Sequence, residues 1–368
     1  MNIAITGTRG IPNHYGGFEQ FAEYVSAGLV EKGNSVTVYS SHDHPYQHTE
    51  WRGVKIIHCF NPENKIGKTG QFIYDLNCIL DARKNNFDVI LQLGYTSSAI
   101  WGWLLPRKKS IVTTNMDGLE WKRTRYTKKV QRFLKYMEKL AVNHSDYLIA
   151  DSVGIQNYLK QQYQKDSIFI PYGADLFKNP DSSCLKKYNV EEYNYNMLIA
   201  RLEPENSIEM ILDGVVLSGT KEFFLVIGKH ETKFGEYLKK RYNGHDNICF
   251  AGGIYDINVL NNLRHFSNLY FHGHTVGGTN PSLLEAMSSQ ALICAHDNIF
   301  NVSILEKDAF YFKSASEISE LIMQQKKTAN IQKIRANEIK INTMYMWGNI
   351  IQQYLEHFED ILYKKRNS

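Results

Sequence analysis

Short apolar runs and amphipathic stretches alternate along the whole chain. In the first half the apolar runs predict strands at 3–6, 35–39, 54–58, 89–93, 110–114, 147–150 and 168–171. Between several of them, apolar positions recur at helical spacing, over 17–32, 71–84 and 127–143. A second series follows, with strands predicted at 196–200, 223–227, 248–251, 269–272, 292–295 and 310–312. Its helices include 207–218, 257–265 and 281–289. Strand runs that alternate with helical patterns predict parallel sheets with helices on both faces.

Two such series predict two doubly wound α/β domains. The polar stretch "NPDSSCLKKYNVEEYNYN" (179–196) is the expected linker. It divides the chain into an N-terminal domain, 1–178, and a C-terminal domain, 179–344. The last stretch, about 345–368, has a long amphipathic helix pattern. It is expected to cap the second domain or to cross back onto the first. Ligands of open α/β sheets bind at the carboxyl ends of the strands, so the cleft between two such domains is the natural site.

Composition changes this picture little. The 368 residues are 43% hydrophobic and 22% charged, the balance of an ordinary globular protein. The net charge of +4 is too small to point to nucleic acid. Five scattered cysteines form no CxxC pair, which excludes a disulfide framework and a zinc ribbon. "MNIAITGTRG" is too poor in apolar residues for a secretion signal, and no run approaches the ~20 apolar residues of a membrane-spanning helix. A cytoplasmic protein is the expectation.

The charge distribution says more than its sum. "WKRTRYTKKVQRFLK" (121–135) carries seven Lys or Arg and no acid, and "PRKKS" (106–110) adds three more. Trp101, Trp103 and Trp121 lie nearby. A basic face beside aromatics suits an anionic membrane surface or a pyrophosphate-bearing lipid; the plainer reading is a solvated helix face.

Four stretches carry candidate chemistry. "GTRGIPNHYGGFE" (7–19) follows the first strand with four glycines, among them Gly16 and Gly17. It is not a GxGxxG fingerprint and lacks the acid ~20 residues on that grips a ribose. A nicotinamide dinucleotide is therefore not expected, and the glycines point to backbone touching a phosphate or sugar. "TTNMDGLEWKRTRY" (113–126) sets Asp117 and Glu120 just past a strand, followed by Lys122 and Arg123. In "LIARLEPENSIEM" (198–210), Arg201 ends a strand and Asn206 lies five residues on. A guanidinium there grips a phosphate through two N–H groups. "HTVGGTNPSLLEAM" (274–287) brings Gly277, Gly278, Thr279 and Asn280 to a helix start at Pro281, with Glu285 one turn inside. Asn is a strong N-cap, Pro fits the first helical position, and a helix N-terminus favours an anion. His272 and His274 have metal-ligand spacing but no third ligand, and no Asp-x-Asp is present, so no metal is expected.

Together Arg201 and the 277–280 amides would hold a diphosphate, and Glu285 would hold ribose hydroxyls. That describes a metal-free nucleotide-sugar site with no further cofactor. The motifs "GTRGIPNHYGGFEQFAE", "DGLEWKR", "ARLEPEN" and "GHTVGGTNPSLLEAM" resemble those of GT-B glycosyltransferases of retaining family four. The resemblance is to the rhamnosyltransferase-like branch of bacterial polysaccharide assembly. It implies two Rossmann-like domains facing across a cleft, the N-terminal one on the acceptor side. It also implies a deoxyhexose donor such as dTDP-L-rhamnose, a sugar acceptor on a lipid pyrophosphate, retention of configuration, and work at the inner face of the plasma membrane.

Asp117, Arg201 and Glu285 are the catalytic candidates on this resemblance. Gly16, Gly17, Asn206, Gly277, Gly278, Thr279 and Asn280 join Arg201 and Glu285 around the donor. Glu120, Lys122 and Arg123 fall on the acceptor side. Three positions depart from the wider family: Gly277 stands for the first Glu of its Glu pair, Asn206 for a Lys, and Asp117 for a His. They argue for a distinct donor. Alternatives are a UDP- or GDP-sugar donor, a nucleotide-sugar 2-epimerase, and a non-catalytic nucleotide-sugar-binding scaffold at the membrane.

Overall fold

A computed structural model describes residues 1–367. The chain divides into two compact units. The first comprises 1–121, 128–173 and 347–368; the second comprises 122–127 and 174–346.

The first unit is built on an eight-stranded sheet. Its strands are β1 (Asn2–Thr6), β2 (Ser35–Ser41), β3 (Glu50–Trp51), β4 (Val54–Cys59), β5 (Val89–Leu93), β6 (Ile111–Asn115), β7 (Tyr147–Ala150) and β8 (Ile168–Phe169). Their order is β3-β4-β2-β1-β5-β6-β7-β8, parallel except for the antiparallel β3–β4 pair. Ile3, Ile5, Val38, Val89, Leu91 and Ile149 are fully buried. Strands covered on both faces need such unbroken apolar runs.

The C-terminal helix, Trp347–Arg366, belongs to this unit and packs on the helix Gly17–Glu31. Trp347 stacks on Tyr24 with ring centroids 4.5 Å apart, and Tyr354 meets Phe21 edge-on at 5.2 Å. Farther along, His357 Nε2 lies 3.1 Å from Thr113 Oγ1 of β6.

The second unit has a six-stranded sheet. Its strands are β9 (Tyr195–Ile199), β10 (Phe223–Ile227), β11 (Ile248–Gly252), β12 (Leu269–His272), β13 (Ile293–His296) and β14 (Phe310–Phe312). They are ordered β11-β10-β9-β12-β13-β14, all parallel. One core, including Leu198, Ile211, Val226, Phe271 and Ile318, joins the sheet to the helices Ile208–Ser218 and Ala315–Gln324.

The structural division lies at Gly173/Ala174, short of the 178/179 boundary expected from composition. Much of the polar stretch is ordered: Ser182–Tyr188 is a 3-10 helix capped by Asp181. The detached segment 122–127 was not visible in the pattern, because its partners lie about 80 residues away in sequence.

Each sheet reverses its strand order at one place, between β1 and β5 in the first and between β9 and β12 in the second. The carboxyl ends at such a reversal are where open α/β sheets leave a crevice for ligands. Three of the four stretches singled out in the sequence follow β1, β9 and β12 directly, and the fourth follows β6, next to β5.

Candidate active site

In the second unit, the loop after β9 and the loop after β12 are fastened together. Thr275 donates to the Glu205 carbonyl twice, from its N–H (3.2 Å) and its Oγ1 (2.7 Å). A Cβ on Gly273 would stand 2.1 Å from the Asn206 carbonyl oxygen, so no other residue permits this approach. Asn206 is buried, and its Nδ2 donates to the Arg201 carbonyl at 2.7 Å. Its side chain therefore closes the loop that presents the exposed Arg201.

The segment 122–127 lies on this same loop. Thr124 Oγ1 donates to Glu205 Oε2 at 3.1 Å, and Arg123 Nη1 lies 3.8 Å from Glu205 Oε1. Arg125 Nη1 lies 3.9 Å from Glu203. Lys122 and Arg123, expected on the acceptor side, thus belong to the second unit. The physical reason is that the basic run is not one helix face. Its helix begins only at Lys128, and the residues before it take carboxylate partners on the Arg201 loop.

His274 carries the electrostatic signature of the place. Burial first, then the charges of Arg201 and Arg123, push its pKa down to about 3. It stacks on His272, centroids 4.4 Å apart. His272 is buried with neither ring nitrogen bonded, and burial, then His274 and Arg264, hold it well below the usual range. Burial first, with the nearby guanidinium charges adding to it, keeps both imidazoles neutral. The His274 carbonyl is held from the other side, since Asn298 Nδ2 and Asn301 Nδ2 both donate to it, at 3.0 and 3.2 Å.

Next come the glycines. Gly277 has φ +138°, a conformation that side chains resist, and the space its Cβ would enter is open. Thr279 is buried. Asn280 caps the helix Pro281–Ser288, its Oδ1 accepting from Ser282 N at 3.0 Å. The N-terminus this prepares is suited to negative charge.

Glu285 is held by a residue the sequence reading missed. Arg264, fully buried on the helix Ile257–Phe266, donates from Nη2 to Glu285 Oε2 at 2.6 Å. Its Nη1 donates to Asn261 Oδ1 at 2.9 Å. Glu285 Oε1 takes no protein donor among the described residues, so one carboxylate oxygen is fixed and the other is available. The available signal was position: Arg264 falls on the apolar stripe with Leu260 and Leu263.

The first unit carries its own cluster. Gly16 is the N-cap of the Gly17–Glu31 helix and supplies no side-chain cap. Its N–H and that of Tyr15 donate to Asn13 Oδ1, at 3.2 and 3.0 Å. Arg9, not anticipated, forms a two-pronged pair with Glu63 (Nη2–Oε1 2.7 Å, Nε–Oε2 3.2 Å) and lies 3.9 Å over the Tyr15 ring. The Asp117–Glu120 loop follows β6. Tyr95 OH donates to the Gly118 carbonyl (3.2 Å), and Trp121 Nε1 donates to Glu138 Oε2 (3.1 Å).

Glu138 is the buried anchor beneath that loop. Its Oε1 accepts from Lys135 Nζ at 2.8 Å and from the hydroxyls of Tyr158 and Tyr163, both at 2.6 Å. Nearby, Asp75 is buried and accepts from Ser97 Oγ at 2.6 Å. Burial raises its pKa to about 7, against lowering by Ser97 and Gln71. Among the described residues no group of three or more His, Cys, Asp or Glu is placed to hold a metal.

Comparison with known proteins bears on the fold. The profile of a family described as "Domain of unknown function (DUF1972)" matches residues 1–175. An uncharacterized 42.6 kDa protein in the cps region of Klebsiella pneumoniae is 44% identical over 59 residues. That match spans only 16% of each chain. Solved structures align over nearly the full length. Sucrose-phosphate synthase from Thermosynechococcus elongatus superposes with a TM-score of 0.79 at 15% identity, covering 99% of both chains. Anabaena Alr3699/HepE, in complex with UDP-glucose, gives 0.74 at 15% identity, covering 97% of this chain and 99% of that one. Trehalose 6-phosphate synthase from Burkholderia multivorans gives 0.70 at 10% identity over 99% and 97%. The fold is therefore GT-B, with two parallel-sheet α/β domains.

Proposed function

We propose, from the premise of a GT-B fold, that this chain is a metal-independent retaining glycosyltransferase. It moves a deoxyhexose, L-rhamnose from dTDP-rhamnose or a close analogue, onto a sugar acceptor carried on a lipid pyrophosphate. The observation that carries the reading is the second unit's cationic corner. There Arg201, Arg123 and two neutral histidines adjoin an open glycine and a capped helix start. Fixed positive charge and a helix N-terminus stabilise a departing diphosphate as its charge develops. The HepE neighbour, solved with UDP-glucose, supports a nucleotide-sugar ligand for this fold.

The residues take distinct roles. Arg201 and the amides of Gly277, Gly278, Thr279 and Asn280 bind the diphosphate, and Arg123 adds to the field. Asn206 holds the Arg201 loop in shape. Glu285, oriented by Arg264, accepts from the ribose hydroxyls through Oε1. Asp117 orients the acceptor or the donor sugar, and Glu120 lies on the acceptor side. The departing diphosphate takes the acceptor proton in a front-face substitution, so the anomeric configuration is kept. A lipid-linked acceptor places the reaction at the inner membrane face.

A UDP-sugar donor is the second reading, favoured by the UDP and UDP-glucose in the HepE structures. The test is transfer of labelled sugar from dTDP-rhamnose and UDP-glucose to lipid-linked saccharides, with a chelator present. Acceptor-dependent transfer is expected. Arg201→Ala should lower kcat/KM by roughly 30-fold to several thousand-fold, the equivalent of ~2–5 kcal/mol for a bound, desolvated phosphate charge left without its partner. Isomerised donor without acceptor would make it an epimerase, and donor binding without turnover would make it a scaffold. Loss of rate on chelation would overturn metal independence.

A further inference from the structure

The helix Lys128–His144 turns an unusual face outward. Leu134, Met137, Glu138, Ala141 and Val142 are buried. The opposite side carries Lys129, Arg132 and Lys139, all exposed, interleaved with Phe133 (40% exposed) and Tyr136 (55%). These positions recur at i, i+3, i+4, i+7 and i+10, so they form one stripe. The only acid of the helix is Glu138, which points inward into its tyrosine and lysine partners. The outer face is basic and aromatic with no acid of its own.

The surface continues beyond the helix. The Phe133 ring lies 6.0 Å from that of Phe72, and Phe72 is tied to the Ala99–Leu104 turn by the Trp101 Nε1 donation to its carbonyl at 2.8 Å. That turn packs on the same helix and exposes Trp103 (68%). Next to Phe72, Ile73 is exposed as well, and the chain just before it brings exposed Lys65 and Lys68 on either side of Ile66.

A solvated helix face explains the lysines and leaves the aromatics unexplained. Exposed Trp, Tyr and Phe set among Lys and Arg suit the interface of a bilayer, where rings enter the headgroup layer and cations meet lipid phosphates.

We propose that this face of the first unit, centred on Arg132, Phe133, Tyr136 and Trp103, docks onto a membrane rich in anionic phospholipid. Charge complementarity selects the occupant, since a neutral or zwitterionic surface leaves the basic stripe without a partner. The proposal deepens the lipid-linked acceptor reading, but it rests on this surface alone and not on the donor site.

The test is flotation of the full-length protein with vesicles, without nucleotide or acceptor. Vesicles of phosphatidylcholine mixed with phosphatidylglycerol are compared with pure phosphatidylcholine, at low and high salt. Binding is expected to the mixed vesicles only, to weaken with salt, and to move Trp103 fluorescence to the blue. Lys129→Glu with Arg132→Glu should lower partitioning by at least about 25-fold. Phe133→Ser with Tyr136→Ser should weaken binding to the same vesicles, each variant melting as the parent does. Equal binding to pure phosphatidylcholine, no vesicle binding, or undiminished binding by the charge-reversed variant overturns the proposal. So does retention by single-stranded RNA in place of vesicles, or burial of this face in a dimer seen by light scattering. Because no donor is present, failure here leaves the glycosyltransferase reading to its own assay.

Discussion

Among the described residues Arg264 is the largest fully buried side chain, and Glu285, meeting it at 2.6 Å, supplies the opposite charge it needs there. Removing one partner of a buried pair strands the other, at about 3–5 kcal/mol; Glu285 is one-fifth exposed, which favours the low end. Arg264→Met is therefore expected to destabilise by about 3 kcal/mol. Adding Glu285→Gln should restore much of that stability, since no charge then remains without a partner. Nucleotide binding should be lost in both. Chemical denaturation of the single and double variants measures the cycle. Additive losses would mean that the two side chains do not act as a pair. Glu285 was legible in the sequence from its place one turn inside a capped helix. Its partner was not, because a contact spanning 21 residues between two helices leaves no mark in local pattern.

Elements repeat the lesson at a larger spacing. Most strands were legible to within a residue at each end, because parallel strands buried on both faces must be continuous apolar runs. β3 escaped: two residues, Glu50 and Trp51, pair antiparallel at the sheet edge without an apolar run. The 168–171 run yields a ladder only over Ile168–Phe169. The loops themselves were legible from glycines and caps. What fastens them was not: Glu138 under the Asp117 loop, and Glu205 between Thr275 and Thr124. Glu138→Ala should leave Lys135 without its carboxylate and free the Trp121 indole. A loss of about 3–5 kcal/mol is expected, with faster amide exchange concentrated in 116–121. Glu138→Gln, which keeps an acceptor and the packing, should lose less. Uniform exchange across the first unit would show that Glu138 supports the fold generally and not that loop.

At the scale of the molecule, the fold and the corner between the β9 and β12 loops come from two parts of the sequence with different constraints. Apolar alternation fixes two reversing sheets, and the reversal of the second brings the β9 and β12 loops side by side. Glycine, arginine and a capped helix start then meet at that corner, and a helix start is suited to negative charge. The basic run 121–135 is split between the units: its first part carries Arg123 to Glu205, and its second forms the outward stripe of the 128–144 helix. No helix among the described residues is long and apolar enough to cross a membrane.

Titration calorimetry with UDP, dTDP and GDP, each set against its monophosphate and run with a chelator, bears most directly on the diphosphate corner. One of the diphosphates should bind at least about tenfold more tightly than its monophosphate, a difference of ~1.4 kcal/mol or more, and Arg201→Ala should weaken it by roughly 30-fold or more. Equal affinity for mono- and diphosphate, or an Arg201→Ala protein that binds as the parent does, would contradict the account.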